Sequence, residues 1–304
     1  MFMADDLLCI AESTKAANAG VIKMEQLAES KVLDYNMKKT SYIVFGNQKK
    51  KLIEAELEKN PLMLYSTKIK QAEEEKYLGW YISEKSLSDC SYLTVMKRKG
   101  KVISTIHQIK AIVEDSRSAR IGSIRTGLTI WETSLIPFLL HSSENWLNLS
   151  KKTLKTLNDL QNDFFCYIFC LPMSTPIPIL YFDTKTLLMI NRIWKRKILF
   201  LFHLENLPSS SLASEVLALQ KSLHLPGLHL ECQTILNELG FGSLKGYSKL
   251  QFKKELNSKI EEKNHRDLLQ QIKSYKKLDF KELSKEEYNV KSYIKPSHFP
   301  RPAP

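Results

Sequence analysis

The hydrophobic positions of this chain follow a helical period over most of its length. Apolar residues recur on one face between residues 14 and 35, again from 103 to 113, and again from 150 to 171. The first segment predicts a helix that runs from Thr14, as its N-terminal cap, to about Tyr35. The third predicts a helix that is capped by Ser150 and stopped by Pro172.

Strand-like segments are shorter and lie in the first part of the chain. β-branched and aromatic residues crowd segments 41–46 and 76–82, which predict strands on either side of a charged helix over 49–59. Two short apolar runs flank Asp5 and Asp6 and predict a hairpin. The fold class is therefore α+β and mostly helical, in agreement with only ten glycines among 304 residues.

The charge balance favours a polyanionic partner. The net charge of +12 favours nucleic acid before a membrane surface, although a basic balance alone is not specific. The most apolar run, 198–202, is far shorter than the roughly 20 residues that a spanning helix needs, so we expect no membrane partner. Its basic flanks, Arg192 and residues 195–197, suit a membrane surface or a phosphate backbone, but the run itself is predicted to be a buried helix.

The cysteines indicate a reducing compartment. They are odd in number, five, and form no C-x-x-C pair, so we expect an intracellular protein, nuclear or cytoplasmic and not secreted. Cys166 and Cys170 share a helix face and are predicted to be core residues. His224, His229 and Cys232 lack a fourth ligand at a convincing spacing, so no zinc is expected.

Asp5 and Asp6 are the first candidates for chemistry. Two divalent cations about 3.5–4 Å apart can activate an attacking oxygen and neutralise a leaving phosphate, and magnesium prefers carboxylate oxygens. Leu7, Leu8 and Ile10 would anchor such a hairpin in a core. An adjacent aspartate pair is alone a weak signal, and an acidic surface turn is the alternative.

Four short motifs occur in order along the first half of the chain. They are Ala4-Asp5-Asp6, Asn36-x-x-Lys39-Thr40, Tyr77-Leu78-Gly79, and a proline-containing segment that ends in Glu144-Asn145-Trp146. In this order and spacing they resemble the reverse transcriptase of non-LTR retrotransposons (LINE-type elements), from the Asp-Asp motif of the palm through the thumb and beyond. One position departs from the family, because Met3 stands where an aromatic residue is usual.

The resemblance implies a set of catalytic residues. Asp5 and Asp6 would bind Mg²⁺, and Lys39 would protonate the leaving pyrophosphate. Asn36 and Thr40 are expected to organise the turn around Lys39 through side-chain to backbone hydrogen bonds. A solvated lysine outside any nucleotide pocket is the alternative for Lys39.

The other implied contacts are to nucleic acid. The segment Tyr77-Leu78-Gly79 matches the primer grip, and Gly79 is equally compatible with a hairpin between core strands. The basic thumb residues would contact phosphates without sequence specificity. The helix over 103–113 has an isoleucine face formed by Ile103, Ile106, Ile109 and Ile112. Lys97, Lys101 and Arg98 fall opposite this face and are expected to be accessible to nucleic acid. The alternative is that these residues form only a solvated charged face. The thumb candidates are Lys97, Arg98, Lys101, Arg117, Arg120 and Arg125.

The predicted domains follow from these motifs. We expect a partial palm over 1–84, a helical thumb and its continuation over 85–171, a helical post-thumb region over 172–240, and a basic helical segment with a disordered proline-rich tail over 241–304. The resemblance implies that a further aspartate, from a palm strand preceding Asp5, completes the metal site, and that a segment between this strand and Asp5 positions the nucleotide. The fingers, this strand and that segment are expected to be missing from these 304 residues. We therefore expect no polymerase activity from these residues alone.

Several functions remain open. The first is a truncated RNA-directed DNA polymerase that needs Mg²⁺ and a completed site, with an RNA template and an RNA–DNA or DNA duplex as partners. The second is a basic module that binds RNA or RNA–DNA duplex without catalysis. A relic without function and a helical protein-interaction scaffold are further alternatives, and no specific protein partner can be inferred.

Overall fold

The computed structural model of the protein describes residues 2–3, 6–45, 50–84, 87–115, 120–172, 175–242, 244 and 246–274. The chain divides into two compact units, Met1–Thr94 and Val95–Pro304. The described part is mostly helical, and its eight short strands pair into four two-stranded sheets. The mostly helical α+β class is confirmed, and the described strands form separate pairs rather than one continuous sheet.

The first unit holds the small sheets and two complete helices. β1 pairs with β2, β4 with β5, and β7 with β8, all antiparallel, whereas β3 pairs with β6 in parallel. The elements are β1 (Phe2–Met3), β2 (Asp6–Leu7), α1 (Thr14–Lys31), β3 (Ser41–Tyr42), α2 (Lys50–Lys59), β4 (Met63–Leu64), β5 (Thr67–Lys68), β6 (Lys70–Gln71), β7 (Glu74–Tyr77) and β8 (Trp80–Ser83).

The core of the first unit lies between α1, α2 and the strands. Apolar side chains along one face of α1 pack against the loops and strands that follow α2. Burial of this face contributes most of the stability of the helix. The buried members of this core are Val21, Val44, Leu57, Leu62, Leu64 and Ile69.

The bounds of α1 correct two predictions. Ser13, not Thr14, is the N-cap, and its hydroxyl accepts a hydrogen bond from the Ala16 amide at 3.2 Å. The helix ends at Lys31 rather than near Tyr35, because Val32 adopts a left-handed conformation with φ of 54°. A cap is recognised by the residue before the first helical turn, and Ser13 and Thr14 both carry a suitable hydroxyl.

Two predicted strands are also corrected. Segment 41–46 forms only the two residues of β3 among its described residues, 41–45, and the charged helix begins at Lys50 within the described part. Segment 76–82 is not one strand, because the chain reverses at Leu78 and Gly79 between β7 and β8. The alternative for Gly79, a hairpin between two strands, is confirmed.

The second unit is helical. A long helix, α3 (Leu87–Asp115), connects the two units in sequence, and its buried Val102, Ile106 and Ile109 confirm the predicted apolar face. The later helices are α4 (Arg120–Ile130), a π-helix (Trp131–Leu135), α5 (Ile136–Leu139), a 3₁₀-helix (Ser143–Asn145), α6 (Lys151–Phe169), α7 (Ile177–Asp183), α8 (Met189–Glu205), α9 (Leu212–Ser222), α10 (Leu228–Glu238) and α11 (Lys249–Lys273).

The π-helix has a local cause. Pro137 has no amide hydrogen and cannot continue the ordinary i to i−4 ladder, and the preceding turn widens so that the Ile136 amide donates to the Trp131 carbonyl. The wider turn places Trp131 in the core, stacked on Phe164 with ring centroids 4.3 Å apart. The predicted proline-containing helix is thus a π-turn, a short α-helix and a 3₁₀ turn.

The predicted helix over 150–171 is confirmed at its start and shortened at its end. Ser150 caps α6 by accepting from the Thr153 amide at 3.1 Å. The helix stops at Phe169, before Pro172, because Cys170 is left-handed with φ of 53°. Cys166 is buried as predicted, but Cys170 is exposed, since it is the C-cap and no longer follows the helical face.

A second apolar cluster joins α8, α9, α10 and α11. Its centre is the stack of Phe202 on Phe252, with ring centroids 4.1 Å apart. The buried run predicted at 198–202 is confirmed for Ile198, Leu201 and Phe202. This packing fixes which faces of α8 and α9 remain on the surface.

Candidate nucleic-acid interface

The aspartate pair follows the first strand of a hairpin. Phe2 pairs with Leu7 and Met3 pairs with Asp6, so only Ala4 and Asp5 separate the two strands in the sequence. The backbone of Asp6 belongs to β2. Asp5 and the side chain of Asp6 lie outside the described residues.

The turn at residues 36–40 has the expected organisation. The Asn36 side chain accepts from the Lys38 amide at 3.1 Å, and its carbonyl accepts from the Lys39 amide at 2.9 Å and the Thr40 hydroxyl at 3.0 Å. The predicted role of Asn36 and Thr40 in the turn is confirmed. Lys38 and Lys39 are both exposed, so the turn presents two cations to solvent.

The β7–β8 hairpin has an unusual tip. Leu78 and Gly79 have φ of 49° and 81°, as in a type I′ turn, and Tyr77 pairs with Trp80 beside them. Leucine in the left-handed region is strained, and such strain concentrates at functional sites. The Tyr77 hydroxyl and Trp80 Nε1 are buried with no hydrogen-bond partner among the described residues, so two polar groups flank this tip unsatisfied.

The start of α3 supports this hairpin within the first unit. The Tyr81 amide donates to the Thr94 hydroxyl at 3.0 Å, and the Ser83 amide donates to Cys90 Sγ at 3.3 Å. These bonds satisfy backbone amides of β8, which pairs only with β7 among the described strands. The hairpin tip is therefore held by side chains of a helix and not by a wider sheet.

Lys97 and Lys101 lie on the exposed face of α3, as predicted. Lys101 Nζ is 5.2 Å from the centre of the Phe138 ring, which positions the ammonium by a cation–π contact while leaving it accessible. Phosphate oxygens can approach such a cation from the solvent side.

The prediction that Arg98 shares this face is wrong. Arg98 is only 6% exposed, and its Nη1 donates to the carbonyls of Leu139 and His141 at 2.9 Å each. These carbonyls follow α5, where a cation is electrostatically favoured. Arg98 thus lies at the border of the isoleucine face and turns inward, because the end of α5 supplies acceptors there.

The arginines near α4 are only partly described. Arg117 lies outside the described residues, as does the side chain of Arg120. Arg125, a candidate phosphate contact, is exposed on α4. Lys97, Lys101 and Arg125 are therefore the thumb candidates with described, exposed side chains.

The basic residues of α8 are mostly neutralised within the protein. Arg192 forms a two-pronged pair with Glu132 at 2.6 and 2.7 Å, and Arg196 pairs with Glu144 at 3.3 Å. The suggestion that Arg192 and residues 195–197 face a phosphate backbone is therefore wrong for Arg192 and Arg196. Glu132 and Glu144 are distant in sequence from α8, and no spacing rule connects them to it.

Lys197 is the most deeply buried cation that the described residues include. It is fully buried, and its Nζ donates to the Trp146 carbonyl and lies 2.6 Å from Glu231 Oε1. The pair joins α8 to α10 and to the end of the 3₁₀-helix. Lys197 therefore has a structural role that sequence reasoning missed.

Lys195 is partly buried on α8. Burial, followed by the nearby Lys253 on α11, lowers the pKa of Lys195 below its ordinary value, and the carboxylates of Glu261 and Glu132 act in the opposite direction. Lys195 was among the residues suggested to suit a phosphate backbone, whereas Lys253 was not, because it lies 58 positions further along the sequence.

Comparison of the chain with known protein families, curated proteins and solved structures found no match. Over the part of the chain that the structure describes, no three metal-ligating side chains come together. None of the described helices has the length and apolar character needed to cross a bilayer.

Proposed function

We propose that this chain is part of an RNA-directed DNA polymerase of the non-LTR retrotransposon type, spanning the palm from Asp5-Asp6 onward, the thumb and the region beyond. The observation that carries the proposal is the register of β1 and β2, with Met3 opposite Asp6. This register places the backbone of Asp6 at the first residue of β2, separated from the end of β1 by two residues in the sequence, and a short hairpin beside the aspartate pair is what the family resemblance leads us to expect.

Two more features of the first unit support the proposal. The Asn36 turn presents Lys39 to solvent, and the β7–β8 tip combines a strained Leu78 with Gly79. A strained tip with little side chain at Gly79 allows close approach of a primer end. Asp5 and Asp6 would hold Mg²⁺, and bound Mg²⁺ would supply charge neutralisation for phosphoryl transfer.

The chain alone is proposed to be catalytically incomplete. Magnesium requires near-octahedral oxygen coordination, and two adjacent carboxylates fix only part of it. We therefore expect no primer extension by the 304 residues and Mg²⁺-dependent extension when a family segment that carries the fingers and the palm strand with the further aspartate is fused before Met1.

The test is templated primer extension on RNA. The fused protein is compared with the same fusion carrying Asp5→Asn and Asp6→Asn, which preserves size and removes both charges. Activity in the fusion that disappears in the double variant supports the proposal. Equal activity in both, or none in a folded fusion that binds primer–template, contradicts it.

A second candidate is duplex binding without catalysis, and the exposed Lys101 and Arg125 favour it. Each phosphate contact contributes about 0.9 to the slope of log affinity against log salt concentration for B-DNA. Replacing both residues by glutamine should lower affinity for an RNA–DNA duplex and reduce that slope by up to about 2. The matched control replaces two exposed lysines of other helices, Lys151 and Lys254, and an equal effect there would show that binding follows net charge only.

A further inference from the structure

The buried face of α11 is a single row of side chains spaced four residues apart. The row consists of Phe252, Leu256, Ile260, Asn264, Leu268 and Ile272. Side chains at i and i+4 form one of the ridges by which a helix packs into the groove of a neighbour. Four members are leucine or isoleucine, which have similar volumes. A shift of α11 by one turn along its own axis would therefore exchange one aliphatic side chain for another at several positions of the row.

Asn264 is the polar member of this row, and it is only 5% exposed. Its Oδ1 accepts a hydrogen bond from the Leu188 amide at 2.8 Å and another from Asn191 Nδ2 at 3.0 Å. Its Nδ2 donates to the Thr186 carbonyl at 3.0 Å. One side chain of α11 thus joins the segment that precedes α8 to the first turn of α8.

The groups that Asn264 satisfies lie in a buried connection. The Leu188 amide and the Thr186 carbonyl belong to the segment between α7 and α8, outside the hydrogen-bond ladders of these helices. Both residues are 7% exposed, so solvent has little access to them. A one-turn shift of α11 would bring Ile260 or Leu268 to this point. The amide and the carbonyl would then lose their partner, and an unpaired buried polar group costs more than a hydrogen bond contributes.

We propose that Asn264 fixes the register of α11, because its hydrogen bonds can form in only one of the helix positions that the aliphatic part of the row permits. A single buried asparagine in an apolar seam selects one register of a coiled coil in the same way, at a cost in stability. Two unpaired groups disfavour each shifted register by at least about thirtyfold. This inference is independent of the proposed polymerase function.

Other contacts of α11 contribute less to this selection. Lys263 pairs with Glu238 on α10 at 3.1 Å, but the Glu238 side chain is 47% exposed and water screens the pair. The stack of Phe252 on Phe202 also opposes a shift, but it acts at the start of the row, where a leucine can replace the ring. Neither contact leaves a buried backbone group unpaired when it is lost.

The first test measures the register by crosslinking. Phe182 on α7 lies against His265 on α11, with ring centroids 4.9 Å apart. A one-turn shift along the row would bring Glu261 or Leu269 to the place of His265. Phe182→Cys is therefore combined in turn with Glu261→Cys, His265→Cys and Leu269→Cys, and each protein is treated with a short bis-maleimide reagent.

The exposed Cys9 and Cys170 are replaced by serine in all of these proteins, so that the reagent reaches the introduced pair. With Asn264 in place, we expect crosslinking through residue 265 to exceed that through residue 261 or 269 by at least about thirtyfold. Asn264→Leu makes the row apolar throughout and should raise the share of the other two crosslinks by at least about tenfold.

Asn257→Leu is the matched control. Asn257 lies on the same helix outside the row, and its Oδ1 has no hydrogen-bond partner among the described residues. This variant should leave the preference for residue 265 unchanged. A folded Asn264→Leu chain that keeps the wild-type crosslink ratios overturns the proposal, as does an equal change in Asn257→Leu.

The second test moves the amide along the row. Asn264→Leu combined with Leu268→Asn keeps the composition and places the asparagine one turn later. Crosslinking through residue 269 should then exceed that through residue 261, and equal crosslinking through both contradicts the proposal.

A measurement on the unaltered chain applies even where these variants do not fold. The Leu188 amide should exchange with deuterium as slowly as the amides within α8, because Asn264 holds it in a buried hydrogen bond. Exchange at the rate of an exposed loop amide would overturn the proposal.

Discussion

Replacing Lys197 by methionine should destabilise the second unit more than any surface change. Methionine keeps most of the apolar stem, so little cavity is created. It removes the cation from Glu231 and the donor from the Trp146 carbonyl. The Glu231 carboxylate and the Trp146 carbonyl then lose their partner at a site where Lys197 was fully buried.

The magnitude follows from these two losses. Breaking a buried ion pair from one side costs about 3–5 kcal/mol, and the lower end applies because the Glu231 side chain is 27% exposed and water screens part of its charge. The unpaired carbonyl adds to this cost, since an unsatisfied buried acceptor costs about 1–3 kcal/mol. We expect a loss of about 4–6 kcal/mol in the free energy of unfolding, a large share of the about 5–15 kcal/mol typical of domains.

The assay is equilibrium unfolding in urea, followed by far-UV circular dichroism and tryptophan fluorescence. Lys254→Met is the control, because Lys254 is exposed on α11, and its effect should stay within about 0.5 kcal/mol. The double variant Lys197→Met with Glu231→Leu should recover part of the loss, since an apolar pair can replace a buried ion pair. A loss below about 1 kcal/mol for Lys197→Met, or a double variant with fully additive losses, would refute the reasoning.

Three other variants probe single contacts. Arg98→Met should cost about 2–4 kcal/mol in urea unfolding, because two carbonyls lose their donor, and an unchanged midpoint would show that the carbonyls find other donors. Gly127→Ala should cost about 1–2 kcal/mol, because the alanine Cβ would collide with the Ile168 side chain. Adding Ile168→Val should restore stability, since it removes the obstructing methyl group. Absence of rescue would show that this clash is not the cause. Burial, and then the nearby Lys221, lower the pKa of His229 below 6.5. As the pH falls through 6.5 the unfolded chain binds the proton first, so the free energy of unfolding decreases. His229→Gln should therefore flatten the dependence of stability on pH between about pH 5 and pH 7. A pH dependence identical to that of the wild type would contradict this.

Some local patterns were predicted correctly, whereas the cap and the end of α1 were not. The Ser150 cap and the buried face of α3 depend on a hydroxyl before a helical turn and on a 3.6-residue period, both visible in one short segment. The Asn36 turn is a similar case, since its hydrogen bonds join residues at most four apart. The aspartate pair and the motifs that carry the family resemblance were also read from the sequence alone, and they remain predictions.

The tertiary structure decided what each charged side chain does. Arg98 and Lys101 are three residues apart on α3, yet one is turned inward to the carbonyls that follow α5 and the other is exposed. Lys197 and Arg192 find carboxylates on elements far away in the sequence. A periodic pattern gives the face of a helix, but the acceptors that a cation meets depend on which other elements pack there. The sequence by itself therefore determined where the helices lie and that the chain is basic, and only the packing of those helices determined which cations remain available to a phosphate.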